Sequence, residues 1–110
     1  FENRLALQLF NHGNNFRDFI SVQAIAEACA KAASLDSGKL EGGALNLCTG
    51  NSISIQALLS LYEEKFGFSV AVNSLPKRAG DIEHSCGDPA KSVSLLGLRP
   101  PGLLTSKDLP

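Results

Sequence analysis

The stretch SIQALLSLYEEKFGFSVAVN, residues 54–73, constrains the fold more than any other segment. Ser54 stands where a helix N-cap belongs, with a side-chain oxygen able to accept from an amide one turn ahead. Ile55, Leu58, Leu59, Tyr62 and Phe66 then recur at helical spacing, and Gly67 falls at the C′ position. Immediately afterwards the period changes. Phe68, Val70 and Val72 alternate with Ser69, Ala71 and Asn73, the pattern of a half-buried strand. A capped helix feeding directly into a strand is the unit of an α/β chain.

The flanking segments extend this pattern. FENRLALQLF sets Phe1, Leu5, Leu7 and Phe10 at near-helical spacing, and NHGNN ends it with turn residues. FRDFISV reads as a short buried strand, and QAIAEACAKAAS as a helix capped by Ser21, with Ile25, Ala28, Cys29 and Ala32 along one face. DSGKLEGG is a loop, ALNLC a short buried strand and TGNS a tight turn. In DPAKSVSLLG, Asp88 is the N-cap, Pro89 occupies N1 and Gly97 closes the helix, before an irregular RPPGLL. The predicted order is α-β-α-β-α-β-loop-α, an α/β fold of short strands with three to four helices.

Residues 1–110 fit one small domain with a modest core. The chain contains no Met, begins at Phe1 inside an amphipathic pattern and ends at Pro110 without a closing element. It therefore reads as a piece of a larger protein. A formal charge of -1 provides no global field for nucleic acid or an anionic membrane, so any anion site must be local. Cys29, Cys48 and Cys86 are odd in number and lack a CxxC, which argues against a disulfide framework and structural zinc. Small buried thiols in a reducing, cytoplasmic compartment are expected. No apolar run reaches the roughly 20 residues of a membrane span, and no signal peptide is visible.

Several residues could carry chemistry. His12 in a turn and His84 in a loop have no ligand or nucleophile partner in sequence, and a structural role is expected for both. The amides of TGNS precede a helix, so that turn could hold a phosphate, although it is poor in glycine. Arg17 lies at a strand edge between Phe16 and Phe19. It pairs either with Asp18 or another nearby acid, or presents its guanidinium fork to a phosphate. Lys77-Arg78-Ala79-Gly80-Asp81 lies in a strand-to-helix loop, where it is either a solvated turn or an anion site. In the second case Arg78 would face a phosphate and Asp81 would accept from sugar hydroxyls.

Three segments, in this order and spacing, carry a family resemblance: RDFISV, NLCTGNSISIQAL and PKRAGDIEHSCGDPAKSVSLLG. Together they resemble the C-terminal, substrate-binding portion of extended short-chain dehydrogenases/reductases, the NAD-dependent nucleotide-sugar epimerases and dehydratases. UDP-glucose 4-epimerase-like proteins are the nearest type, and the likeness covers about residues 1 to 104. The resemblance implies that Arg17 and Arg78 contact the substrate diphosphate and that Asp81 holds the ribose side. It implies a nucleotide-diphosphate sugar as partner, and NAD bound by an N-terminal Rossmann domain absent from these residues. It also implies a parent that often dimerises, through helices of that missing domain. Gln23, Cys48, Ala57, Gly87 and Leu98 depart from the family's usual acid, glycine, glutamate, alanine and tryptophan.

Nothing in the chain matches the family's Gly-rich NAD loop or its Tyr-x-x-x-Lys pair. The one tyrosine, Tyr62, has Phe66 four residues on, so no catalytic or metal-binding residue is expected here. The alternative is a stand-alone, non-catalytic nucleotide-sugar-binding or interaction module. DNA binding through helix 54–66 is disfavoured because Lys65 is outweighed by Glu63 and Glu64.

Overall fold

The computed structural model describes residues 6–39, 43–99 and 102–110. Five short strands and three α-helices follow one another along them: β1 (Leu7–Leu9), β2 (Phe16–Asp18), α1 (Val22–Ala33), β3 (Ser52–Ser54), α2 (Ile55–Phe66), β4 (Val72–Ser74), β5 (His84–Ser85) and α3 (Ala90–Leu96). The expected α/β class with three helices and short strands is what forms.

The helices begin and end where local chemistry directs. The Ser21 hydroxyl accepts from Ala24 N at 3.2 Å, and that of Ser54 from Ala57 N at 3.0 Å. Each removes one orphan amide from a helix start, worth about 1 kcal/mol. Gly67 and Gly97 close α2 and α3 in the left-handed conformation. The expected start of α3 is corrected by one residue: Pro89 is the N-cap rather than N1 and has no side-chain cap, while Asp88 Oδ1, one residue earlier, accepts from Ala90 N at 2.9 Å.

Two compact units form. The first comprises Phe1–Arg17, Ser52–Ser85 and Leu104–Pro110. In it β1 runs parallel to β4, with Leu7 opposite Val72 and Leu9 opposite Ser74. A second ladder orders β3-β2-β5, with Phe16 opposite His84 in parallel register. Parallel pairs need long crossovers, and α2 lies within the one that joins β1 to β4. Ile55 N, at the start of α2, donates to Asn15 O at 2.9 Å, which ties the helix to the segment entering β2. The second unit comprises Asp18–Asn51 and Cys86–Leu103. There α1 packs on α3, burying Ala28, Ser92 and Leu96.

Four further expectations are corrected. Residues 7–9 are a strand rather than the end of a helix, because they pair in parallel with Val72–Ser74 far along the chain. Phe1 and Leu5, also assigned to that helix, lie outside the described residues. Residues 44–48 (ALNLC) form no strand; the place beside β2 is taken by Ser52–Ser54, just before the α2 cap. The segment after Gly67 pairs only over Val72–Ser74, and Phe68 and Val72 remain exposed, since β4 has a single ladder partner. His84–Ser85, expected within a loop, forms β5.

Candidate functional site

Arg17, Arg78 and Asp81 meet in the first unit. Arg17 is the central residue of β2, and its parallel ladder with β5 draws the 78–83 loop alongside. The guanidinium Nη1 donates to Phe16 O at 2.7 Å and Nη2 to Ile82 O at 2.7 Å. Arg17 thus fastens the loop through the backbone carbonyl of Ile82. Its acidic neighbour is Asp81, with Nη2 3.6 Å from Oδ1, and not the adjacent Asp18.

The Arg78–Asp81 half is a tight turn. Asp81 N donates back to Arg78 O at 3.2 Å, and Gly80 adopts φ 77°. A side chain at Gly80 would meet no atom within 4 Å, so the left-handed backbone alone selects glycine there. The turn brings Arg78 Nη2 to 3.6 Å from Asp81 Oδ2. One carboxylate therefore stands between two guanidinium groups, each within ion-pair distance of a different oxygen. Arg78 lies over the Phe10 ring at 4.2 Å from its centroid, a cation–π contact that holds an otherwise exposed side chain in place.

These groups line a cleft of about 240 Å³, together with Asn15 and Ile55. Asn15 was not singled out in the sequence, where it is one of several polar residues in NHGNN. It is buried at 6% exposure and donates from Nδ2 to Asp81 Oδ2 at 2.9 Å. Lys77, the other half of the basic pair, is directed elsewhere. It binds Glu83 at 2.8 Å, and this hydrogen bond, reinforced by the lysine's charge, holds the exposed Glu83 carboxyl below its usual range.

The second carboxylate next to an arginine has a different role. In the second unit Asp18 accepts from Thr49 N and Gly50 N, each at 2.9 Å, from the Thr49 hydroxyl, and from Gly87 N at 3.4 Å. Burial pushes the Asp18 carboxyl up, but these bonds, led by the Thr49 hydroxyl, outweigh it and bring the carboxyl below its ordinary value. The TGNS turn therefore does bind an anion, and that anion is the chain's own Asp18.

The remaining candidates are structural. His12 Nδ1 and Ser74 Oγ share a hydrogen bond of 2.6 Å, and His84 stacks on Phe16 with ring centroids 4.5 Å apart. Tyr62 stacks on Phe66. The expectation of buried cysteines is corrected: Cys29 and Cys86 are exposed and Cys48 is half-buried, because the helix face carrying Cys29 is covered only around Ala28. Among the described residues no group of three or more His, Cys, Asp or Glu could hold a metal, and no helix is long and apolar enough to cross a membrane. At the starts of α1 and α2 the hydroxyls of Ser21 and Ser54 each take one amide, that of Ala24 and that of Ala57.

Comparison with known proteins gives one consistent relationship. No protein-family model matches the chain. UDP-glucose 4-epimerase from Bacillus subtilis is 33% identical over 85 residues, covering 77% of this chain and 25% of that protein. The structure of UDP-glucose-4-epimerase from Stenotrophomonas maltophila, with bound NAD and formylated UDP-arabinopyranose, matches with a TM-score of 0.76. It is 29% identical and covers 94% of this chain and 33% of that one. UDP-N-acetylglucosamine 4-epimerase from Methanobrevibacter ruminantium, in complex with UDP-N-acetylmuramic acid, matches with a TM-score of 0.75. It is 28% identical and covers 86% of this chain and 29% of that one. The chain spans about a quarter of the length of the curated UDP-glucose 4-epimerases it matches. In both sequence and fold it is related to UDP-sugar 4-epimerases, over a part of their length.

Proposed function

We propose that this chain supplies the nucleotide-sugar-binding portion of an NAD-dependent UDP-sugar 4-epimerase, in which Arg17 and Arg78 grip the substrate diphosphate and Asp81 lies beside the ribose. One observation carries the reading: two guanidinium groups from separate elements converge to 3.6 Å from opposite oxygens of one carboxylate, in an open cleft. Two arginines around one carboxylate leave a net positive charge, which suits a diphosphate approaching from solvent.

The two arginines contribute differently. Arg17 is held by backbone carbonyls, so it offers a fixed charge at the floor of the cleft. Arg78, at 61% side-chain exposure, is the arm that can close on a ligand. The cleft of about 240 Å³ is smaller than the roughly 300–1,000 Å³ of a typical complete ligand site. That size favours a chain that holds the nucleotide diphosphate while the sugar extends beyond it. Its contribution to catalysis is positioning, fixing the sugar ring relative to the reacting centre. NAD is assigned to the rest of the protein, and these residues alone are expected to show no epimerase turnover. The three unpaired cysteines favour a cytoplasmic setting.

The test is UDP binding by calorimetry. Each charge-assisted bond to a phosphate is worth about 1.5–3 kcal/mol, so Arg78→Ala should weaken UDP by roughly 10- to 150-fold. The salt dependence of the residual binding should also become shallower. Unchanged affinity would refute the assignment.

A further inference from the structure

The buried amide of Asn15 is unexplained by the diphosphate grip, since its side chain bonds Asp81 and Asn11 and neither arginine. Its environment shows what it does. An ionised carboxylate can only accept hydrogen bonds, so the Asn15 NH2 must face Asp81, as it does at 2.9 Å. Its carbonyl oxygen then faces away and accepts from Asn11 Nδ2 at 2.7 Å. Its backbone oxygen accepts from Ile55 N at the head of α2. Asn15 is thereby fixed from three directions, at 6% exposure.

The far end of this chain of bonds rests on an unusual backbone. Asn11 and His12 both adopt left-handed conformations, φ 51° and 53°, followed by Gly13 at φ 78°. Left-handed backbone at two successive non-glycine residues costs on the order of 1–2 kcal/mol each. The Asn11 side chain directed at Asn15 is one product of that backbone.

From this we infer that Asn15 is a positioning residue for substrate recognition: with Asn11 behind it, it locks the Asp81 carboxylate in the one orientation that leaves lone pairs free for a vicinal diol. The inference rests on the proposed function, in which that diol is the ribose of a uridine diphosphate. Asn15, though it lines the same cleft, acts through Asp81. Without its bond, Asp81 can swing onto either guanidinium, closing the ion-pair distances and losing its alignment to the sugar.

The experiment is a double-mutant cycle read with two ligands, UDP and inorganic pyrophosphate. Asn15→Leu should weaken UDP about tenfold while changing pyrophosphate by less than about twofold, because pyrophosphate has no diol. In an Asp81→Ala background the same substitution should change UDP affinity by less than about twofold. A general loosening of the fold would instead weaken both ligands. Asn11→Gly is the second variant, since glycine adopts φ 51° without strain. It should weaken UDP about threefold, again only when Asp81 is present. Equal losses for both ligands, or losses that persist in Asp81→Ala, would overturn the role of Asn15 alone. If Asp81→Ala itself leaves UDP affinity unchanged, the ribose reading fails, and the role of Asn15 with it.

Discussion

The Asp18 carboxylate faces both the backbone amide and the side-chain hydroxyl of Thr49, with the amide at 2.9 Å. With the Gly50 and Gly87 amides it forms the polar centre of the second unit. Asp18→Ala leaves these donors without a partner, and bonds to a charged acceptor are worth about 1.5–3 kcal/mol. A loss of that order in unfolding free energy is expected, measured by denaturant titration. The pH dependence has a definite sign. The folded carboxyl titrates below its unfolded value of about 4, so the stabilisation is complete above that value and is lost as pH falls through the folded one. Acid unfolding of the native chain should steepen below about pH 4, and Asp18→Asn should flatten that slope.

What could be read from the sequence divides along the reach of the interaction. The caps at Ser21, Ser54 and Gly67 were legible because each acts within four residues of itself. The convergence of Arg17, Arg78 and Asp81 followed from motif order, but not from local chemistry. In sequence, Asp18 is the acid beside Arg17, whereas in space Asp81 takes that place and Asp18 serves a separate turn. Strands were least legible. β1 acquires its identity from β4, a partner far along the chain, and its three residues carry too little pattern to reveal the ladder. Asn15 was hidden for a related reason: among the polar residues of NHGNN only burial distinguishes it, and burial is a property of the fold.

Two glycines in the first unit should respond unequally to alanine. At Gly13, φ 78° is combined with crowding, since a Cβ would lie 2.9 Å from Gln56 Cβ and 3.2 Å from Gln56 N. The obstacle is the first turn of α2, which cannot yield cheaply. At Gly80 only the backbone conformation opposes the change. Gly80→Ala should cost about 1–2 kcal/mol. Gly13→Ala should cost about 3 kcal/mol, adding an overpacking penalty to the backbone term. Thermal unfolding of the two variants side by side checks the ordering, and equal costs would contradict it.

Thiol reactivity should separate the three cysteines. Burial, followed by the nearby Asp18 charge, pushes the Cys48 thiol above its ordinary range, while its sulfur packs against Gly87. Thiolate is the reactive species, so Cys48 should be labelled last by a maleimide or disulfide reagent at pH 7.5. The exposed Cys29 and Cys86 should both react before it. Mass spectrometry of timed digests reads the order directly. Asp18→Asn removes the charge that disfavours the Cys48 thiolate and should speed its labelling severalfold relative to Cys29.

Lysine in place of Arg78 separates charge from geometry at the exposed arm of the cleft. Arg78 lies over Phe10 and reaches Asp81 through one guanidinium nitrogen, leaving other N–H groups of the fork for a ligand. Lysine keeps the charge but replaces the planar fork with a single ammonium, which cannot form parallel bonds to two phosphate oxygens. Arg78→Lys should therefore retain part of the electrostatic attraction and lose the bidentate component. The expected result is UDP binding weakened several-fold, intermediate between the native protein and Arg78→Ala. The two variants should also differ in salt response, because lysine preserves the screened, long-range part of the interaction. If Arg78→Lys binds UDP as tightly as the native protein, the arginine contributes charge alone, and the fork geometry assigned to it is wrong.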